Sequence, residues 1–458
     1  MQTLRPSRYN WYVSGALYNA LTGALVKLDG ADAGVLGRHL MDTRAELDDD
    51  ALDGEFVALL RRGGFLIHEA TDELEVVRER YWRARGETPA VLTITTTIDC
   101  NLGCYYCYEQ RSTEALALRD VGAIVELARK LLARGGKRAL HVDWYGGEPL
   151  LNVELMETAS YALQEMCRSE GVHYVSSVIS NGTVWPADVA EFVARHRIRQ
   201  VQITFDGLEA KHNKRRRYRS KKDQAEKSSF AQAAELVDKL IACTRVDVRY
   251  NIDPYNREDF LPFIDFAVAR GWFKGAYELV LQPARISAYT EKAAFLRPQE
   301  LTLAEFQELK DAAIQRLRGH GRIEETAIPD GYPYPKTSVC AALANDSVVV
   351  GAEGKTYRCG LQVSEPHRAV GSIHDDVAGA DADWWKRFDP TTLPTCSRCS
   401  FLPVCMSGCA KKHLDRDEHA IREQGRYWRD NLARMIAHAA GKTETDRTAF
   451  TEAEQFRP

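Results

Sequence analysis

Nine of the eleven cysteines in this 458-residue chain fall into two groups. Cys100, Cys104 and Cys107, spaced Cys-x3-Cys-x2-Cys, make the first; Cys340, Cys359, Cys396, Cys399, Cys405 and Cys409 make the second. Thiolates hold iron–sulfur clusters, and a four-iron cluster ordinarily takes four of them. Three would leave one iron open to a chelating ligand. The other readings of the first group are a zinc site and three packing cysteines, but zinc prefers four ligands and no histidine lies nearby in sequence. Cys167 and Cys243 stand alone, each in or beside an expected helix, and read as small buried hydrophobes.

The elements that must position these thiols alternate short β-branched runs with amphipathic stretches, the pattern of a parallel sheet built from βα units. Six strands are expected, starting near Val91, Ala139, His173, Gln200, Arg245 and Tyr277. Between them run helices such as the one from Asp120, where an Asp at the N-cap precedes Val121, Ile124, Leu127, Leu131 and Leu132 at helical spacing. Six units give an α/β fold, a partial (β/α)6 barrel of TIM type, with Cys100 to Cys107 in the loop after its first strand. Active sites of such barrels sit at that face. Residues 1 to 85 form a separate unit with a helix around Asp50 to Arg62, a GGFLIHE strand and a charged helix from Glu73. A stretch punctuated by Pro298, Pro329, Pro333 and Pro335 leads to the second cysteine group. The domains are therefore expected at 1–85, 86–320 and 321–458. With 45% hydrophobic and 28% charged residues the composition is globular, and a net charge of −4 gives no global field for nucleic acid or anionic membrane. No apolar run suits a membrane helix and the start lacks a signal-peptide core, so a cytoplasmic protein is expected.

The Cys-x3-Cys-x2-Cys loop after a first barrel strand resembles the radical S-adenosylmethionine superfamily, and further motifs follow in order over residues 90 to 285. Gly146, Gly147, Glu148 and Pro149 stand after the second strand, where the resemblance implies contacts to the methionine amino group. Ser180 and Asn181 end the third strand, facing the cofactor's ribose or carboxylate; Asp206, Arg249 and Asn251 end strands four and five; Tyr108 stands where the family packs an aromatic near the adenine. The implied cofactors are a [4Fe-4S] cluster and S-adenosylmethionine. The implied chemistry is one-electron cleavage of the sulfonium and hydrogen abstraction by a 5′-deoxyadenosyl radical, with the protein supplying orientation and exclusion of side reactions.

The second group reads in isolation as a zinc ribbon on its last four cysteines. Behind a radical loop it resembles instead the SPASM domain of peptide and protein maturases, which carries two auxiliary iron–sulfur clusters. By that pattern Cys340, Cys359 and Cys409 would ligate the first and Cys396, Cys399 and Cys405 the second. The chain departs from the seven-cysteine pattern, since no cysteine follows Cys409. His413, Asp415, Asp417 and Glu423 are possible substitutes, or simply solvated helix residues. Gly360 follows Cys359, where sulfatase maturases can carry an Asp as base.

Residues 1 to 85 look like the winged-helix module that binds precursor leader peptides as an added strand, a structural cap being the alternative. The basic run KHNKRRRYRSKK from Lys211 carries eight Lys or Arg in twelve residues. It reads as a solvated loop, as a dock for an acidic peptide through Arg215 to Arg217, or as an RNA surface with Tyr218 stacking. The whole pattern suggests a radical maturase of a ribosomally made peptide, forming a thioether or carbon–carbon crosslink. Its partners would be a precursor peptide and an electron donor such as flavodoxin or ferredoxin. A maturase of a folded or nascent protein and an electron-transfer iron–sulfur protein are the alternatives.

Overall fold

All six expected strands form, at Ala90–Thr95, Ala139–Tyr145, His173–Ser180, Ile198–Phe205, Arg245–Ile252 and Leu279–Arg285, and they pair in parallel in chain order. The structure is a computed structural model and describes residues 3–28, 30, 32–44, 54–110, 112–321, 332–375 and 378–441. Pro329, and Asp50 to Asp53 of the expected first helix, lie outside the described residues. Their faces differ: in Ala139–Tyr145 the apolar Leu140, Val142 and Trp144 are buried on one face while His141, Asp143 and Tyr145 lie half-buried on the other. Leu92, Ile94, Leu140, Val142, Trp144, Val178, Val201, Ile203, Val246 and Val248 share one core with the apolar faces of the crossover helices. Cys167 is wholly inside it and Cys243 packs at its margin, as small hydrophobes.

The sheet has three more strands than expected. Ser347–Val350 pairs in parallel with the first barrel strand, and Lys355–Tyr357 and Gly371–Ser372 continue it antiparallel. By its contacts the chain groups into two compact units. Thr88–Asp330 and Ala344–Lys386 form one compact unit; Met1–Glu87, Gly331–Leu343 and Arg387–Pro458 form another. The stretch after residue 320 is thus shared, because Ser347–Val350 finds its hydrogen-bond partners on the barrel edge.

In the unit containing the N-terminus, Asn10–Val13, Ala16–Asn19 and Leu25–Lys27 make an antiparallel meander, and Leu4–Pro6 pairs with Leu66–His68. Ser14 and Gly15 both have positive φ, the two-residue hairpin turn that matches strand twist. The meander buries Tyr9, Val13, Ala16 and Tyr18 against Leu402, Val404, Leu432 and Ile436, the last two from helix Glu418–Ala439. One detail near the barrel differs from expectation. Asp120 does occupy the N-cap of helix Val121–Gly135, but its carboxylate accepts from the backbone N–H of Ala117, behind it, and closes a 3-10 turn.

Candidate active site

The loop carrying Cys100, Cys104 and Cys107 is held from below by the end of the second strand. Gly147 donates its N–H to the Thr97 carbonyl at 3.0 Å, and Glu148 donates to that of Asp99 at 2.9 Å. This approach requires glycine. A Cβ on Gly147 would lie 2.3 Å from the Asp99 oxygen, and Gly146 has a φ of +141°. Two N–H groups of the GGEP turn therefore serve the cysteine loop.

Glu148 is fully buried and points toward the end of the third strand, accepting from Ser180 Oγ at 2.9 Å and from the Asn181 N–H at 2.7 Å. Burial outweighs these bonds and pushes its carboxyl up to about 7. The amide of Asn181 reaches to Asn101 at 2.8 Å and to the Cys100 sulfur at 3.7 Å, tying the third strand to the cysteine loop. Burial also pushes the Cys100 thiol up to about 12, with Glu148 adding to the shift.

Above these groups opens a cavity of about 410 Å³, within the range of small-molecule sites. Cys100, Cys104 and Cys107 line it, as do Tyr108, Gly146, Gly147, Ser180, Asn181, Arg249 and Asn251 from the expected set. Glu148, Pro149 and Asp206 do not reach its wall; they are buried behind it. Asp206 accepts a hydrogen bond from Tyr106 at 2.8 Å, while the Tyr106 oxygen accepts from Arg216 at 2.8 Å and Asn251 at 3.1 Å. Tyr108 bonds to Tyr145 through their hydroxyls, and Tyr145 bonds to the buried carboxylate of Glu109. Tyr106, Glu109, Tyr145, Arg216 and Arg285 are wall residues that the sequence pattern missed. For Tyr145 a signal existed, since it immediately precedes the GGEP turn.

The basic run is divided, which corrects the view of it as one uniformly solvated face: His212, Arg215, Arg216 and Tyr218 are buried, while Lys214, Arg217, Arg219, Lys221 and Lys222 are exposed. Arg215 is buried and forked onto Asp253 at 2.8 and 3.1 Å, with Asp206 at 3.4 Å. Arg216 is buried 3.6 Å from the Asp206 carboxylate. Two acidic side chains from the ends of strands four and five compensate these cations, as burial of charge demands. Tyr218 is buried and hydrogen-bonded to Gln232, so it offers no ring for base stacking.

In the unit containing the N-terminus, Cys399 donates its N–H to Cys396, and Cys405 follows on the short helix Leu402–Cys405. Burial raises all three thiols, Cys405 to about 12, with Cys399 and Cys396 as further causes. Cys340 and Cys409 belong to this unit and Cys359 to the barrel unit. Three of the possible substitute ligands are engaged elsewhere. His413 bonds to the Ser407 carbonyl, Asp415 to Lys411, and Asp417 to Lys412 and the N-terminus of helix Glu418–Ala439.

Among the described residues no three His, Cys, Asp or Glu side chains are gathered as around a single metal ion. The donor set at the cavity nevertheless suits a multi-iron cluster and a zwitterionic ligand: three thiols, three guanidinium groups, amides, a buried carboxylate and tyrosine rings. The family model for the radical SAM superfamily matches residues 94–267. That segment is a radical SAM domain. Its superfamily implies a four-iron cluster and S-adenosylmethionine, and Cys100, Cys104 and Cys107 on the cavity wall are the thiols that would hold such a cluster.

Beyond the radical SAM domain, the chain is 24% identical over 324 residues to a serine-type anaerobic sulfatase-maturating enzyme of Klebsiella pneumoniae, covering 68% of this chain and 78% of that protein. It is 22% identical over 279 residues to the radical SAM cyclopropyl synthase TigE of Paramaledivibacter caminithermalis, covering 55% and 57%. Among solved structures, native anSMEcpe with bound AdoMet superposes with a TM-score of 0.58 at 17% identity, over 77% of this chain and all of that one. Streptococcus suis SuiB bound to precursor peptide SuiA superposes at 0.51 and 14% identity, over 91% and 97%. At these identities the structural likeness is one of fold. No described helix is long and apolar enough to cross a membrane.

Proposed function

We propose that the chain is a radical SAM maturase that modifies a ribosomally made peptide, forming a thioether or carbon–carbon crosslink, with two auxiliary clusters on its second cysteine group. The observation that carries the reading is the cavity with three thiols on its wall, inside a domain whose relatives include a sulfatase maturase and a cyclopropyl synthase. When bound, the cluster and S-adenosylmethionine supply a carbon radical able to take hydrogen from an unactivated C–H bond. The protein's part is placement. Arg216 and Arg249 present positive charge to a carboxylate, Asn181 and Asn251 present amides, and Tyr108 presents a ring. Cys340, Cys359 and Cys409 would serve one auxiliary cluster and Cys396, Cys399 and Cys405 the other.

Two features favour a peptide over a sulfatase. Gly360 leaves the position after Cys359 without a carboxylate, and its backbone lies beside the Tyr145 ring at the cavity. The chain also opens with a small antiparallel meander whose outer strands offer edges to an added strand. The test is anaerobic reconstitution, mass spectrometry for 5′-deoxyadenosine, and co-expression with short open reading frames beside the gene. Deoxyadenosine together with a peptide lighter by a pair of hydrogens is the expected result. Absence of deoxyadenosine from a cluster-loaded chain given those peptides would overturn the reading.

A further inference from the structure

The basic run has an outer face that the cavity does not use. Around the bridge between Leu102 and Tyr218 its side chains alternate, as in a strand. Arg216 and Tyr218 are buried, and Arg216 reaches the cavity wall; Arg217 and Arg219 are exposed. The segment is fastened to the outside of the cysteine loop. Gly103 donates to the Arg217 carbonyl at 2.7 Å and Arg219 donates to that of Asn101 at 2.9 Å. The stems of both arginines lie over Gly103, between Cys100 and Cys104: a Cβ there would sit 3.6 Å from the Arg219 Cγ and 3.7 Å from that of Arg217.

The charges on this face are unequal in their compensation. Arg219 pairs with Asp99, and Lys211 pairs with Asp259 and Glu258. Among the described residues no acidic side chain lies within ion-pair distance of Arg217, Lys221 or Lys222, all exposed. Lys222 is partly offset by its neighbour Asp223, so the unpaired cation that lies directly over the cysteine loop is Arg217, with Lys221 and Lys222 following it in the chain.

We propose that Arg217, Lys221 and Lys222 form the docking surface for an acidic one-electron carrier protein that reduces the cluster held by Cys100, Cys104 and Cys107. The inference rests on the reading that these thiols hold a reducible cluster. Position selects the occupant. A peptide substrate must reach the cavity, on the inner side of the loop, whereas an electron need only cross the loop from behind. RNA is disfavoured because Tyr218, the aromatic of the run, is turned inward. In the step itself one electron leaves the reduced carrier and enters the cluster. The carrier is oxidised by one electron, the cluster is reduced by one, and no bond forms or breaks. Complementary charge accelerates such encounters and makes them sensitive to salt.

The test compares the reconstituted wild type with R217E/K221E/K222E, using reduced flavodoxin as the acidic carrier and photoreduced 5-deazaflavin as a small donor that needs no protein dock. Cluster reduction is followed by stopped-flow absorbance, flavodoxin binding by calorimetry, and iron is counted on each sample. The variant should keep its iron and its deazaflavin-driven rate, lose about tenfold in flavodoxin affinity and reduction rate at low salt, and no longer show the fall of both with rising salt that the wild type shows. Equal flavodoxin rates in the two proteins overturn the proposal alone. So does a variant that keeps flavodoxin-driven reduction while losing affinity for a single-stranded RNA oligomer. A wild type that takes up no cluster overturns the proposal together with the reading beneath it.

Discussion

Replacing Gly147 by alanine tests whether the cysteine loop is positioned from below by the second strand. The new Cβ would stand 2.3 Å from the Asp99 oxygen and 2.5 Å from that of Ile98. Ordinary contact begins at 3.4 Å, so the atoms must part by about 1 Å, and both obstacles are backbone. The hydrogen bonds from Gly147 to Thr97 and from Glu148 to Asp99 run through the same atoms. Weakening the pair costs about 1 to 3 kcal/mol, and a displacement of about 1 Å at a reacting centre lowers rates by about a hundredfold. The assay is deoxyadenosine formation per cluster, with iron counted and thermal unfolding recorded on the same preparation. Gly122→Ala is the control, since nothing lies within 4 Å of its Cβ on the helix that follows. That change should leave activity intact and raise stability by about 0.5 to 1 kcal/mol. A Gly147→Ala enzyme with wild-type turnover would refute the argument that this close approach sets the loop.

Three further outcomes are expected. Because the Glu148 carboxyl is raised to about 7, the folded apo chain retains a proton that the unfolded chain releases near its ordinary value of 4.5. Stability should therefore fall as pH rises through that window and level off above it; Glu148→Gln should flatten the dependence, by about 3 kcal/mol at most, in melting curves at pH 5 and pH 8. Arg216→Leu removes one of the cations facing the buried Asp206 and should destabilise by about 3 to 5 kcal/mol, and Arg216→Leu with Asp206→Asn should recover part of that in urea unfolding. Cys104→Ala should abolish deoxyadenosine formation while leaving the iron bound by the second cysteine group, which iron analysis on the variant checks.

The barrel was legible because short strand-like segments alternate with amphipathic helical stretches, and Val91, Ala139, His173, Gln200, Arg245 and Tyr277 fall within two residues of the starts of the observed strands. Ser347–Val350 was not legible as a barrel-edge strand. Four residues carry no period of their own, and what makes them a strand is the row of hydrogen-bonding groups left open by Ala90–Thr95. The site divides in the same way. The thiols, the glycines and, apart from Asp206, the polar strand ends are local motifs and fall on the cavity wall, whereas Glu148 shows its type in sequence but not that it faces Ser180 and Asn181.

The basic run shows why charge is the hardest property to read from residue order. Eight cations in twelve residues suggest a solvated face, yet two adjacent arginines are buried because Asp206 and Asp253 end neighbouring strands and meet them. Parallel strands in register bring their C-terminal residues together, so acidic residues more than forty positions apart become one counter-charge. A cationic segment that follows a barrel strand must therefore be weighed against the acids at the other strand ends before it is assigned to solvent. What survives that subtraction is the free charge: of Arg215, Arg216, Arg217 and Arg219, only Arg217 is left without an acidic partner among the described residues, and it lies against the outside of the cysteine loop.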